Sequence, residues 1–315
     1  MQILNTQSLY YDDVNLIAQP QNKIKSRTDI PKELDRIIIS PMSAVVGKTF
    51  ARKALELGLS VCVPRFGGIE RQKEILENCS DYFNLHSLCV SVGLDDWKSV
   101  EGLKIYCRNI LIDVANGYLK DVAEFASRLK MDGFNVMVGN VHSRNGVECF
   151  SNSLIRCGIG GGSVCQTSLV SGYTRGQITE LMECADGLLK RSTGNGIIAD
   201  GGVKDSGCAV KAFGAGADYV MMGGYFSYAE EAESVINGDL TYWGGASEKQ
   251  QILQYGEKRR HSEGKVVSID KSRVKPLKEL VDDLWGGISS GVSYSGYGSL
   301  SEFIGNGVFE VKHSK

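Results

Sequence analysis

The chain has 315 residues, of which 42% are hydrophobic, enough for one large core and within the size range of an α/β barrel. Its net charge of -2 and its scattered Lys and Arg residues exclude the basic field that a nucleic-acid partner requires. The nine cysteines include no CxxC pair, and neither a signal-peptide pattern nor a run of about 18 apolar residues occurs, so we expect free thiols, no membrane association and a cytoplasmic location.

Eight short apolar runs rich in β-branched residues predict strands that are buried on both faces, as in a parallel sheet. They are IIISPM from Ile37, SVCVP from Ser60, LCVSVG from Leu88, NILIDVAN from Asn109, NVMVGN from Asn135, SLIRCGIG from Ser153, GIIADGG from Gly196 and DYVMMGG from Asp218. Segments with helical spacing lie between them, such as TFARKALELG, LKDVAEFASRLKMDG and KDSGCAVKAFGAGA. Eight alternating units predict an α/β fold of the (β/α)8 TIM-barrel type in a single domain over residues 1–315; an open doubly wound sheet is the alternative.

Residues 275–304 have the apolar spacing of one amphipathic helix followed by a shorter one. We assign the longer helix to the outer layer, where it completes the barrel.

Glycine-rich segments follow three of the predicted strands. The sixth strand runs into CGIGGGSVCQTSLVSG, whose closely spaced glycines allow main-chain amides to approach an ion, although a plain flexible loop is the alternative. The seventh strand ends in Asp200-Gly201-Gly202 and the eighth in Gly223-Gly224. TIM barrels commonly hold a phosphate on backbone N–H groups at these two positions, so the pairs predict a phosphate site.

Cys165 differs from the other cysteines in its surroundings. Cys62, Cys89 and Cys157 lie inside apolar strands and are expected to act as small buried hydrophobes. Cys165 lies beyond the end of the sixth strand, in the glycine-rich loop before Gln166-Thr167. A thiolate there can be exposed and stabilised by loop amides, which makes Cys165 the candidate nucleophile.

Taken together, these motifs resemble the IMP dehydrogenase/GMP reductase family over nearly the whole chain. The matching segments are YDDVNLI, SPMSAV, IDVANGY, VGNV, CGIGGGSVCQT, ADGGV, KAFGAGADYVMMGG and SEGK, in the order of the family. The segment between VCVPR and LCVSVG is too short for the pair of CBS modules that IMP dehydrogenases usually insert. The short flap YGEKRRHSEGKVV is similar to that of the reductases, so the resemblance is closest to the GMP reductase branch.

The resemblance implies reduction of a purine nucleotide, GMP, to IMP and ammonia with NADPH. Cys165 would attack C2 of the purine, Thr167 and Glu263 would relay protons, and hydride transfer to C2 would follow. Family members also bind a potassium ion and are usually homo-tetramers.

The same resemblance assigns the binding residues. The resemblance implies that the nucleotide phosphate is bound by Ser163, Gly201, Gly202, Gly223 and Gly224. It implies that the ribose is bound by Asp200, and the base by Gly245, Arg260 and Gly264. It implies that the cofactor is bound by Arg65, Asp113, Asn116, Gly117 and Thr167. The potassium ion is bound by the carbonyls of Gly160, Gly162 and Cys165 in this resemblance. Arg65 as a solvated charge and Asp113 as a structural carboxylate are the alternatives.

Several positions depart from the family pattern around the base and the cofactor. They are Gly161 in place of Pro, Gln166 in place of Thr, Ser168 in place of Arg, and Gly245 and Ala246 in place of Met and Ser. The exact purine nucleotide and the choice between NADPH and NADH therefore stay open. An IMP dehydrogenase-like or related oxidoreductase on a modified purine nucleotide, a non-catalytic nucleotide-binding regulator, and an unrelated barrel enzyme for a phosphorylated metabolite or flavin are the alternatives.

Overall fold

In the computed structural model, which describes residues 7–20, 22–82, 87–189 and 194–312, eight parallel strands form a closed barrel in sequence order. The barrel strands are β2 (Ile37–Ile39), β3 (Ser60–Val63), β4 (Leu88–Val92), β5 (Asn109–Ile112), β6 (Asn135–Val141), β7 (Ser153–Cys157), β8 (Gly196–Asp200) and β9 (Tyr219–Met222). Seven of them begin at the residue predicted and the eighth begins one residue later, which confirms the predicted strands.

Pairing of the last barrel strand with the first decides between the two predicted sheet arrangements. Ile37 pairs with Val220 and Ile39 with Met222 in a parallel register. The sheet therefore has no open edge, and the TIM-barrel prediction is confirmed over the doubly wound alternative.

Alternate side chains of each strand pack into two different hydrophobic cores, one inside the barrel and one between the strands and the helices. The strands are therefore apolar on both faces. Ile38, Cys62, Leu111 and Ile198 pack with their neighbours inside the barrel. Residues of opposite orientation, such as Ile37 and Ile39, join the larger core between the strands and the helices. Continuous burial on both faces explains the missing period-two alternation in the sequence.

The helices surround the barrel and follow the strands in the chain. They are α1 (Lys48–Glu56), α2 (Gly68–Glu77), α3 (Trp97–Leu103), α4 (Lys120–Met131), α5 (Arg144–Val147), α6 (Thr167–Ser171), α7 (Gln177–Leu189), α8 (Ser206–Gly214), α9 (Glu233–Ile236), α10 (Glu248–Tyr255), α11 (Leu277–Tyr294) and α12 (Leu300–Phe303). Among the described helices, none combines the length and the apolar character needed to cross a membrane.

The long helix α11 packs against α8 in the outer layer, as predicted from its amphipathic spacing. Small residues allow this close approach: a Cβ at Gly291 would lie 2.6 Å from a methyl carbon of Val210. The shorter helix α12 follows, and Leu300 and Phe303 on it are fully buried.

Two small antiparallel sheets complete the fold. Strand β1 (Val14–Leu16) pairs with β12 (Phe309–Val311), which joins the two ends of the described chain. Strand β10 (Thr241–Trp243) pairs with β11 (Val266–Ser268), and the residues between them cross the carboxyl ends of the barrel strands. Residues 244–265 between these two strands are called the flap below.

Candidate active site

A cavity of about 660 Å³ lies at the carboxyl ends of the barrel strands, where the active sites of TIM barrels are found. The loops after several different strands line it together with the first residues of the flap. The predicted residues on its wall are Asp113, Gly162, Ser163, Asp200, Gly201, Gly202, Gly223, Gly224 and Gly245. Most of the predicted binding residues thus surround one space.

Beside this cavity, three polar side chains form a hydrogen-bonded chain. The Cys165 thiol lies 3.3 Å from Thr167 Oγ1, and the Thr167 hydroxyl donates to Glu263 Oε2 at 2.9 Å. All three residues are half-buried. Thr167 can pass a proton between a nucleophilic sulfur and a carboxylate, which is the arrangement that an activated nucleophile needs.

The Glu263 carboxylate reaches Thr167 because the flap pairs through its backbone with residues 158–166, the glycine-rich segment between β7 and α6 that is called the cysteine loop below. The amide of Gln166 donates to the carbonyl of Glu263 at 2.7 Å, and the amide of Lys265 donates to the carbonyl of Val164 at 2.9 Å. Gly264 forms bridges to both Cys165 and Ser247. The main chain therefore places Glu263 beside the cysteine loop.

The glycines of the cysteine loop are needed for close packing. Gly158 has φ 139°, and a Cβ there would overlap the carbonyl oxygen of Asp200. Gly160 has φ 79°, and a Cβ there would lie 2.9 Å from the carbonyl oxygen of Tyr173. A side chain at either position would collide with β8 or with the segment before α7, so both positions require glycine.

A buried network of charges lies beneath the cavity, and the sequence analysis did not find its central residue. Arg156 on β7 is only 8% exposed and lies 2.8 Å from Asp200 and 3.2 Å from Asp113. Asn140 also donates to Asp200 at 2.8 Å. Burial alone lowers the pKa of Arg156, but the two carboxylates outweigh this effect and raise the pKa above its ordinary value.

We expect Arg156→Ala to lower the free energy of unfolding by about 3–5 kcal/mol, because it leaves two partly buried carboxylates without their shared cation. Urea denaturation measures this change. Lys120→Ala is the control, since Lys120 forms an exposed pair with Glu124, and we expect it to change stability by less than about 0.5 kcal/mol. A loss below about 1 kcal/mol for Arg156→Ala would contradict this role.

Most of the thiols are enclosed in the core. Burial raises the pKa of Cys107 to about 12 and that of Cys79 to about 11, and Cys62, Cys89 and Cys157 are also buried, as predicted. All nine cysteines are free. Only Cys149 and Cys165 are accessible, and Cys149 donates to a backbone carbonyl away from the cavity.

The remaining predicted residues lie around the cavity without lining it. Arg65 forms an ion pair with Asp113 at 3.2 Å and stacks on the ring of Phe66. Gly117 donates its amide to the carbonyl of Asn140, and the side chain of Asn116 accepts from the amide of Tyr118. Arg260 lies on the flap, where its amide donates to Gln251.

Two further residues at the site had a recognisable signal in the sequence. Arg156 is a charge inside an otherwise apolar strand, and such a charge needs buried partners. Tyr242 lies in the apolar segment just before the flap, and its hydroxyl lies 3.2 Å from Ser163 Oγ in the cavity wall. Asn140 was not identified this way, because it is the next-to-last residue of β6 and the sequence alone places it at the strand end, where asparagine is ordinary.

Comparison with known proteins shows the family of the chain. The model of the IMP dehydrogenase / GMP reductase domain matches residues 8–314. The GMP reductase of Klebsiella pneumoniae is 30% identical over 334 residues, covering 96% of this chain and 94% of that protein. The GMP reductase of Caenorhabditis elegans is 28% identical over 342 residues, covering 98% and 92%. The chain belongs to the IMP dehydrogenase/GMP reductase family.

Proposed function

We propose that this protein is a GMP reductase, an oxidoreductase that converts GMP to IMP and ammonia with NADPH. The observation that carries the proposal is the hydrogen-bonded chain from Cys165 through Thr167 to Glu263 beside a cavity lined by two glycine pairs. The names of the full-length relatives agree with it.

The protein side of the reaction follows from this chain. A bond forms between Cys165 Sγ and C2 of the purine, and the thiol proton passes through Thr167 to Glu263. The same two residues return a proton to the 2-amino group, so that the C2–N bond breaks and ammonia leaves. NADPH, when bound, supplies the hydride to C2. The C2–S bond then breaks, which releases IMP and restores Cys165.

Neutral donors receive the nucleotide phosphate in this proposal. Gly202, Gly223, Gly224 and Ser163 line the cavity, where their amides and the Ser163 hydroxyl would donate to the phosphate, and a Cβ at Gly224 would lie 3.0 Å from Ser163 Oγ. Asp200 would hold the ribose hydroxyls, and the Arg156 guanidinium keeps this carboxylate in place. The base would lie toward Gly245 and the flap, within reach of Cys165.

The cofactor would lie over the cavity mouth near Asp113, Asn116, Gly117 and Thr167. A Cβ at Gly117 would lie 3.0 Å from the carbonyl oxygen of Asn140, so glycine allows this segment to pack closely against β6. Arg65 would meet a cofactor phosphate there, since its guanidinium is partly exposed beside Asp113.

A potassium ion fits the donor set of the cysteine loop. The carbonyls of Gly160, Gly162 and Cys165 would hold it, since main-chain oxygens suit such a cation. The carbonyl of Gly162 already accepts the amide of Cys165 at 2.9 Å, and its second lone pair remains for the ion.

We further propose a homo-tetramer of single-domain chains in the cytoplasm. Leu169 and Tyr173 are 82% and 68% exposed beside the cysteine loop. A neighbouring subunit would cover this apolar surface.

A related purine nucleotide is the second candidate substrate. A Cβ at Gly245 would lie 3.0 Å from the ring of Phe66, so a larger side chain at this position would need the ring to move. The residues beside the base thus differ from the family pattern while Cys165, Thr167 and Glu263 are present, which would keep the chemistry and permit a changed base or sugar.

Absorbance at 340 nm tests the proposal. Purified protein in potassium buffer is mixed with NADPH and GMP, and we expect GMP-dependent loss of absorbance with IMP as the product. If NADPH is oxidised only with another purine nucleotide, or if NAD is reduced with IMP, the substrate assignment is wrong and the catalytic assignment of the site stands. No turnover with any of them would favour a nucleotide-binding regulator.

A further inference from the structure

A buried glutamate lies against the cysteine loop, and the proposed reaction does not use it. Glu180 on α7 is only 1% exposed, which makes it the most deeply buried acidic residue in the part of the chain that the structure describes. No described Lys, Arg or His lies within ion-pair distance of its carboxyl group, and the nearby Arg175 pairs with Glu183 instead. Burying an acid without a cation is unfavourable, so packing alone does not account for Glu180.

The Glu180 carboxyl group faces the first two residues of the cysteine loop. A Cβ at Gly158 would lie 3.4 Å from Glu180 Oε1, and the backbone amide of Ile159 donates to the carboxyl group. The other oxygen, Oε2, is buried and has no hydrogen-bond partner among the described residues. The described hydrogen bond of this carboxyl group therefore comes from the cysteine loop.

The surroundings of Glu180 favour its uncharged form. Burial raises the pKa of Glu180 well above its ordinary value, and Cys184 and Asp200 raise it further. Arg175 and the Ile159 amide lower this pKa, but burial outweighs them. The titratable groups around the carboxyl group are Tyr11, Cys157, Arg175, Cys184 and Asp200. An uncharged carboxyl group can still accept from the amide through its carbonyl oxygen, without a buried charge.

Helix α7 contacts the cysteine loop at its start and in its middle. Gln177 lies three residues before Glu180 on α7, and a Cβ at Gly161 would overlap its side-chain amide. The flap holds the other end of the loop through the backbone bonds described above. Cys165 follows Ile159 by only six residues, so a displacement at the start of the loop is passed on to the thiol.

We propose that Glu180 is a positioning residue for Cys165: its buried carboxyl group holds the start of the cysteine loop against α7 and so keeps the thiol within reach of Thr167. The inference rests on the proposed function, because the position of the thiol matters there for its bond to C2 of the purine. Glu180 lies outside the cavity wall and acts through the loop. A misplacement of about 1 Å can slow a reaction by about 10²-fold, so the loss of this contact is measurable.

Two substitutions of similar size test the proposal. Glu180→Gln keeps an uncharged acceptor for the Ile159 amide, and we expect kcat within about twofold of the wild-type value. Glu180→Leu removes the acceptor, and we expect kcat for GMP reduction to fall about tenfold with little change in KM for GMP. Without nucleotide, alkylation of Cys165 by iodoacetamide, followed by mass spectrometry, should be about tenfold slower in Glu180→Leu and unchanged in Glu180→Gln.

Leu181→Ala is the matched control. Leu181 is a neighbouring residue of α7 in the core between the strands and the helices, so its truncation destabilises the same helix and removes no acceptor from the loop. We expect its kcat and its alkylation rate to equal those of the wild type. If urea denaturation shows that Glu180→Leu does not fold, Glu180→Met takes its place, since methionine is unbranched and adapts to irregular space.

Alkylation without nucleotide separates this inference from the proposed reaction. If GMP is not reduced but Cys165 reacts more slowly in the variant without an acceptor and normally in Glu180→Gln, the reaction is wrong and the positioning role stands. Wild-type reduction and alkylation in the leucine or methionine variant overturn the role and leave the reductase proposal intact. The same loss in Leu181→Ala, or a tenfold loss in Glu180→Gln whether or not the apolar variants fold, also overturns it.

Discussion

Cys165→Ala abolishes GMP-dependent oxidation of NADPH, with an expected loss on the order of 10⁴-fold or more in kcat, because alanine cannot form the bond to C2. The variant should still fold and bind the nucleotide, since the loop is held by backbone bonds from Gln166 and Lys265. Absorbance at 340 nm measures the activity, and calorimetry measures the binding.

Cys149→Ala is the matched control for this substitution. Cys149 is exposed and Cys165 is half-buried, while the other seven cysteines are buried. We expect the Cys149 variant to keep full activity. Alkylation with iodoacetamide followed by mass spectrometry should modify both accessible thiols, and bound GMP should protect Cys165 alone. Full activity of Cys165→Ala, or alkylation of Cys165 that GMP does not slow, would contradict its role as nucleophile.

The second large effect is expected at Glu263. Glu263→Gln can retain the hydrogen bond from Thr167, but its amide cannot take up the proton that the thiol loses. We expect kcat to fall by about 10²–10⁴-fold with little change in nucleotide affinity, which is the usual size of a general acid–base contribution. Single-turnover measurements with GMP and NADPH report this change.

Two further variants test whether Glu263 acts through Thr167. Thr167→Val interrupts the hydrogen-bonded relay between the Cys165 sulfur and the Glu263 carboxylate. The double variant Thr167→Val/Glu263→Gln should therefore lose little more activity than the less active of the two single variants. Glu257→Gln is the control, since Glu257 is an exposed flap residue that pairs only with Arg259 in the described part of the chain. Independent losses in the double variant, or an equal loss for Glu257→Gln, would rule out a relay from Cys165 to Glu263.

The barrel could be predicted from the sequence because each strand is short, apolar and buried on both faces. This pattern is local, so it also located the strand ends, and with them Asp113, Asp200 and the glycine pairs. The prediction of the cysteine loop was equally local, since Cys165 and Thr167 are neighbours. The site therefore follows from the fold wherever its residues come directly after a strand.

The other features depend on contacts between distant parts of the chain. The network around Arg156 joins three strands, and no spacing in the sequence pairs it with Asp113 and Asp200. The role of Glu263 could be predicted only from the family resemblance. The flap reaches Cys165 through backbone bridges, and backbone bridges require no particular residue types that the sequence could reveal. The pairing of β1 with β12 was not predicted either, since strands of three residues have too little pattern to recognise.

The pairing of β1 with β12 has a consequence for synthesis on the ribosome. Val311 leaves the exit tunnel some 300 residues after its partner Val14, which at about 5–20 residues per second takes about 15 seconds or more. Barrel closure also waits until β9 can meet β2. The nascent protein therefore carries unpaired strand edges during this interval, and chaperones that shield such edges should increase its yield.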